Sequence, residues 1–199
     1  NMDAGMFGTI FHEVMRSLYT SEEAMSPDFF FDDHNAVKAL APLRYITRAY
    51  IQSWRDREPV IRAKVRALIE HELNVAEVTG RNLVFTDVIV RYVKKTLESD
   101  LQILKESGKD SFEILGRELR VSGSFHGFRF KGFIDRFDAF GSDEVRVVDY
   151  KTGRVLDDDI FIEDGNAEAI AQKIFTPDIK DRPKIALQFY IYDLLVQGR

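Results

Sequence analysis

Residues 132–153 constrain the fold of this chain more than any other stretch. They run from Gly132-Phe-Ile-Asp-Arg136 to Val148-Asp-Tyr-Lys-Thr-Gly153. Two apolar-rich runs, Gly132 to Ala139 and Val145 to Tyr150, flank Phe140-Gly-Ser-Asp-Glu144, a cluster of the kind that reverses a chain. The pattern predicts a hairpin. A turn centred near Ser142 sets Asp135 opposite Asp149. Directly opposed residues have Cβ atoms about 4.5–5.5 Å apart, so two carboxylates there repel. A hairpin selected only for stability avoids that pairing, and a divalent cation removes the conflict. Lys151 lies two residues beyond Asp149 and falls on the same strand face. Two acids and a lysine around one point suit metal-dependent hydrolysis of a phosphodiester. The acids hold Mg²⁺, the metal activates water and shields the phosphate, and the lysine orients water or stabilises developing charge. Alone, Asp-x-Lys is more often a solvated strand edge or a surface ion pair; the hairpin context gives it weight.

Composition limits the alternatives. The 199 residues suffice for one large domain with a core that needs no staples. There is no cysteine, which excludes disulfides, Cys-ligated zinc and an iron–sulfur cluster, and is compatible with a cytoplasmic location. No apolar run is long enough to cross a bilayer and no signal peptide is visible, so no membrane partner is expected. Asn1 ahead of Met2, and an end just after an apolar helical pattern, suggest a domain excised from a longer protein. The net charge of −5 argues against a chain that coats nucleic acid. It does not exclude a nuclease, whose metal site itself concentrates carboxylates. Local charge is uneven: residues 44–66 carry Arg44, Arg48, Arg55, Arg57, Arg62, Lys64 and Arg66 against Asp56 and Glu58.

Along the chain, Phe7, Phe11, Val14 and Leu18 predict a helix over 6–19. Gly8 and His12 lie one turn apart on another face, where Gly8 leaves space over the histidine. Otherwise His12 is a surface histidine. Residues 21–34 read as an acidic loop anchored by Phe29-Phe-Phe31, with His34 incidental. Helices follow over 35–56, 59–78 and 82–106, the second with Pro59 at its start. Arg55, Arg62 and Arg66 share roughly one face, which is either solvated or tracks phosphates. From Phe112 the period becomes two. Glu113 to Val121 reads as a strand, and Phe125 to Lys131 continues into the Gly132 strand. Glu118 can join the acids or simply face outward, and His126 is an ordinary strand residue. Residues 154–182 form a polar connector holding Asp157-Asp-Asp159 and a short helix, Ala167 to Phe175, capped by Asn166 and followed by Pro177. A last helix runs from about Pro183 to Val196, with Gln188 and Tyr192 one turn apart.

The order Gly8-x-x-x-His12, Gly132-x-Ile-Asp135-Arg136, Asp149-Tyr-Lys151-Thr-Gly, Gln188-x-x-x-Tyr192 resembles the RecB/AddB-type nuclease domain of the PD-(D/E)xK nuclease superfamily. Each motif is weak alone; four in order are strong. The resemblance implies an α/β fold, a mixed central β-sheet flanked by helices (restriction-endonuclease-like). Residues 21–110 would then be a helical insertion in a single domain spanning 1–199. It implies that Asp135, Asp149 and Lys151 are catalytic. His12, Asp135, Asp149, the Tyr150 carbonyl and, less directly, Glu118 would hold Mg²⁺ or Mn²⁺. Gln188, Tyr192, Gly8 and Arg136 would support the site or contact DNA. Some relatives clamp an iron–sulfur cluster with four cysteines, which this chain lacks. The implied activity is a DNA nuclease, an exonuclease of recombinational repair attached to or partnered with a helicase. The rivals are a silent DNA-end-binding module of the same fold and a structural domain whose helices bind a protein. The first is disfavoured because Asp135, Asp149 and Lys151 are all present.

Overall fold

Helix α1, Ala4–Thr20, starts where the Asp3 carboxylate accepts the Met6 amide at 2.8 Å, one of the four donors that a helix start leaves unpaired. Its stripe of Phe7, Ile10, Phe11, Val14 and Leu18 is buried. The structure, a computed structural model, describes residues 2–31, 42–125, 127–142, 144–153, 155, 165, 167–176 and 184–196. After α1 come a 3₁₀ turn at Glu23–Met25, β1 (Tyr45–Thr47), α2 (Arg48–Arg55), α3 (Glu58–Leu73) and α4 (Arg81–Glu106). Then follow β2 (Ser111–Phe125), β3 (Phe128–Ala139), β4 (Val145–Val148), α5 (Ala167–Phe175) and α6 (Lys184–Val196). One hydrophobic core joins α1 to the helices and the near end of the sheet, through Leu18, Trp54, Ile61, Val65, Leu97, Phe112 and Phe140. Each such side chain contributes about 1.5–3 kcal/mol when fully buried. The acidic loop is anchored as its aromatics suggest: Phe30 stacks on His71 and Arg16 lies over Phe31.

The sheet has the order β1-β2-β3-β4, and every pair among the described residues is antiparallel. With its flanking helices this is the α/β, restriction-endonuclease-like architecture. Gly141, at φ +86°, turns the β3–β4 hairpin, and the Phe140 amide donates to the Glu144 carbonyl at 2.8 Å.

Three segments differ from the sequence expectation. The 35–56 helix is only α2 among the described residues. Tyr45-Ile-Thr47 is aromatic and β-branched and adds instead to the edge of β2, with Ile46 fully buried and Thr47 capping α2. Helix α3 stops at Leu73 rather than 78, because Asn74 turns into the left-handed region at φ 50° and the Val78 amide is taken by the Glu70 carboxylate. Strand β2 runs on to Phe125, since Ser122, Gly123 and Ser124 pair with Lys131, Phe130 and Arg129 despite their weak strand propensity. His34, His126, Asp157–Asp159, Asn166, Pro177, Pro183 and the start of the 35–56 helix lie outside the described residues.

Helix α6 is seated by two glycines. A Cβ on Gly132 would stand 2.9 Å from Tyr192 Cε1, and one on Gly123 would stand 2.5 Å from Leu195 Cδ2. A side chain at Gly132 meets the Tyr192 ring, and one at Gly123 displaces the Leu195 methyl.

Candidate active site

Strand register brings three carboxylates into line. Arg117 pairs with Arg136 and Leu119 with Ile134, so Glu118 and Asp135 sit opposite each other between them. Arg136 also pairs with Val148, which leaves Asp135 and Asp149 as the next step of the β3–β4 ladder. This is the register that a turn near Ser142 requires. Glu118 has φ +46°, the left-handed region that a non-glycine residue rarely adopts, at a cost of about 1–3 kcal/mol. Strain is therefore stored at the acid row.

Helix α1 places His12 over that row. Its Nδ1 is 3.5 Å from Asp135 Oδ1, and its Nε2 donates to the Tyr150 carbonyl at 2.8 Å. The Tyr150 amide donates to Asp135 Oδ2 at 2.6 Å. One nitrogen of His12 and one oxygen each of Glu118 and Asp135 all lie within 4.8 Å of one another. Asp149 stands beside this group. Its Oδ1 accepts from Gln188 Nε2 at 2.8 Å. Its Oδ2 lies 2.6 Å from Lys151 Nζ, but the contact lacks the alignment of a hydrogen bond and the oxygen is sealed from solvent. The Lys151 ammonium donates to Gln188 Oε1 at 2.9 Å. Only one orientation of the Gln188 amide satisfies both neighbours, oxygen toward the cation and nitrogen toward the carboxylate. The same nitrogen reaches Tyr192 Oη at 2.7 Å, and that hydroxyl donates to the Phe133 carbonyl at 2.6 Å.

The electrostatics are those of a site short of positive charge. Burial pulls the His12 imidazole down. Its hydrogen bond to Asp135, the charge of Asp135 and the Tyr150 carbonyl outweigh this, so its pKa is raised. Burial pushes the Glu118 carboxyl up, and the charge of Asp135 adds to the effect against His12 and Arg16. Two features fit a divalent cation: ligand atoms already converged, and a sealed carboxylate oxygen on Asp149 without a hydrogen bond. Carboxylate and carbonyl oxygens with one imidazole suit Mg²⁺ or Mn²⁺.

A family model described as the PD-(D/E)XK nuclease superfamily matches residues 1–172. The chain belongs to that superfamily. No curated protein and no solved structure matches it. The matched span contains His12, Glu118, Asp135, Asp149 and Lys151 and ends before α6, so it does not cover Gln188 and Tyr192. Membership makes this a nuclease-type hydrolase fold, of a superfamily whose members typically use divalent metals. Among the described residues no helix is long and apolar enough to cross a membrane.

The site residues expected from the sequence thus lie in two adjoining groups: His12, Glu118, Asp135 and the Tyr150 carbonyl, then Asp149, Lys151, Gln188 and Tyr192. Gly8 lines the cleft beside His12 and also lets a neighbouring segment approach. A Cβ there would meet Thr152 Oγ1 at 3.3 Å, so the glycine admits Thr152 against α1. Arg136 is a support only. Its side chain is 1% exposed and bonds Asp100 at 2.8 Å and Asp138 at 3.0 Å, so it cannot reach DNA. Its Nη1 also donates to Tyr150 Oη at 3.1 Å, fixing from below the residue whose backbone serves the site. Arg55, Arg62 and Arg66 are paired with Asp56, with Glu58 and Asp87, and with Glu77, which favours the solvated-face alternative. Sequence reasoning missed Asp100, Asp138, Arg146 and Tyr19, which complete the buried network under Tyr150. Charged residues in an apolar strand were its only signal, because the partner Asp100 comes from α4.

A cleft of about 340 Å³ beside α1 is lined by Gly8, Thr9, His12, Glu13, Arg16 and Glu118. A second, of about 520 Å³, lies between α4 and β4, and its lining includes Tyr92, Lys95, Asp149 and Lys151.

Proposed function

We propose that this domain is a DNA nuclease that hydrolyses phosphodiester bonds with Mg²⁺ or Mn²⁺. The observation that carries the reading is the row Glu118, Asp135 and Asp149, with His12 above it and Lys151 beside it. His12, Glu118, Asp135, Asp149 and the Tyr150 carbonyl would hold the cation. When bound, it supplies a Lewis acid that activates water and offsets phosphate charge. The chain's own residues do the rest. Asp149 and Gln188 hold the Lys151 ammonium in place, where it orients the attacking water and stabilises charge developing on the phosphate. Tyr192 and the Phe133 carbonyl hold Gln188. Tyr150 carries order from the buried network to the backbone that contacts His12 and Asp135.

The motif order supports a RecB/AddB-type domain of 1–199, with 21–110 as a largely helical insertion whose Tyr45–Thr47 joins the sheet. It supports an exonuclease of recombinational repair working with a helicase domain or subunit. The test is degradation of linear DNA with Mn²⁺, by the parent and by Lys151→Ala. The variant should lose more than about a hundredfold in rate, the scale for removing one group that stabilises transition-state charge, while its circular dichroism spectrum shows the fold retained. Equal rates would remove Lys151 from the mechanism.

A further inference from the structure

The β2–β3 hairpin runs on past the acid row as an arm, and its two faces differ. One face receives Tyr192 and Leu195 of α6 at Gly132 and Gly123. The other continues the face of Asp135 by strand alternation. It carries the opposed pairs Arg120 and Phe133, Ser122 and Lys131, Ser124 and Arg129. All six are exposed, Phe133 by 58%. Residues 119–134 contain no acid, in a chain that has 33.

What sets this face apart is that its cations lie along one line with no acid among them. Arg44, Arg57 and Arg62 each pair with a carboxylate. Arg120, Arg129 and Lys131 have no ion pair or hydrogen bond among the described residues. At about 3.4 Å per residue, Phe133 lies ~7 Å from Asp135, Lys131 ~14 Å and Arg129 ~20 Å. An exposed aromatic ring beside the acids, followed by unpaired cations along one line, matches a polyanion with flat bases. Phosphates follow cations, and a free base stacks on a ring. In a duplex the bases are already stacked and paired, so the ring would have nothing to receive.

We propose that the exposed face of this arm guides a single DNA strand into the acid row, with Phe133 stacking on a base next to the reacting phosphate and Arg120, Lys131 and Arg129 contacting the phosphates beyond. The inference rests on the acid row being the site that cuts DNA. Its test is kept independent of cutting by measuring binding in EDTA.

Fluorescence anisotropy would compare labelled oligothymidine with a blunt duplex of equal length over a salt series. The parent should prefer the single strand. Replacing Arg120, Arg129 and Lys131 together with Ala should reduce the slope of log K against log salt by about 2, at about 0.7 per phosphate of a single strand. Phe133→Ala should weaken single-strand binding about tenfold with an unchanged slope. Far-UV circular dichroism and melting curves of these surface variants should match the parent. The proposal is overturned if the parent does not bind, if it prefers the duplex, if the triple variant keeps the parent's slope, or if Phe133→Ala binds as well as the parent. Arm-dependent binding without any Mn²⁺-dependent cleavage would uphold the arm and sink the nuclease reading. Cleavage that needs Asp135, with arm variants that bind normally, would do the opposite.

Discussion

Asp135 and Asp138 lie three residues apart on β3 and live in opposite circumstances. Asp138 is fully buried, yet Arg136 reaches it at 3.0 Å and Arg146 at 2.6 Å. Asp100 joins them, so two acids meet two arginines, and the hydroxyls of Tyr19 and Tyr150 complete the network. Burial pushes Asp138 up and the two arginines pull against it; in Asp100 the arginines win and its pKa is lowered. Asp135 instead faces Glu118 and Asp149, with His12 as its nearest cation-forming group and Lys151 engaged by Asp149. The first cluster is complete in itself. The second is missing a charge. Burial of charge, then, does not mark function here; incomplete compensation does.

The difference between the two clusters should show most strongly in Arg136→Met. Leaving a buried carboxylate with fewer cations costs about 3–5 kcal/mol, which for a chain of this size lowers the melting temperature by on the order of 10 °C. A loss under about 1 kcal/mol in denaturant titration would show that the network is not a closed electrostatic unit.

Lys64 is a third case, a buried cation with no carboxylate bonded to it. It donates to the Ser26 and Phe29 carbonyls, and burial pulls its pKa from 10.5 down to about 8 against the charge of Glu13. Because the folded value is the lower one, the unfolded chain binds more protons between about pH 8 and 10.5. Stability should therefore rise with pH across that window, by at most about 3 kcal/mol, with the full penalty present below it. Lys64→Met should remove this rise. Parallel stability–pH profiles for the two proteins would mean that Lys64 is not perturbed.

The incomplete cluster should respond to the charge it lacks. Mn²⁺ at a hundredfold excess over its dissociation constant should stabilise the parent by about 2.7 kcal/mol and leave Asp135→Asn unchanged. A variant stabilised as much as the parent would remove Asp135 from the ligands.

The smallest effect is the most discriminating. Without metal, Asp135→Asn keeps an oxygen for the Tyr150 amide and removes one of the facing charges. It should match the parent or exceed it by up to about 1 kcal/mol. A loss comparable to that of Arg136→Met would erase the distinction between the two clusters.

Much of the site is written locally. The turn residues Phe140 to Glu144 set the β3–β4 register, which ends at Arg136 and Val148 and so leaves Asp135 and Asp149 adjoining just beyond it. The helical period of Phe7, Phe11, Val14 and Leu18 sets α1. What was not legible depends on distant partners. Tyr45-Ile-Thr47 merged with a helical pattern because three residues give too little period to read, and only β2 makes them a strand. Arg136 and Arg62 look alike in sequence, yet one is enclosed by Asp100 from α4 and the other pairs at the surface with Asp87.

The superfamily and the hairpin were legible in the chain itself, because turn chemistry and strand alternation act over a few residues. Only the tertiary structure decided which charges are answered and which are not. That outcome depends on which helix lies over each strand, at distances where an ångström changes an ion pair into an open site.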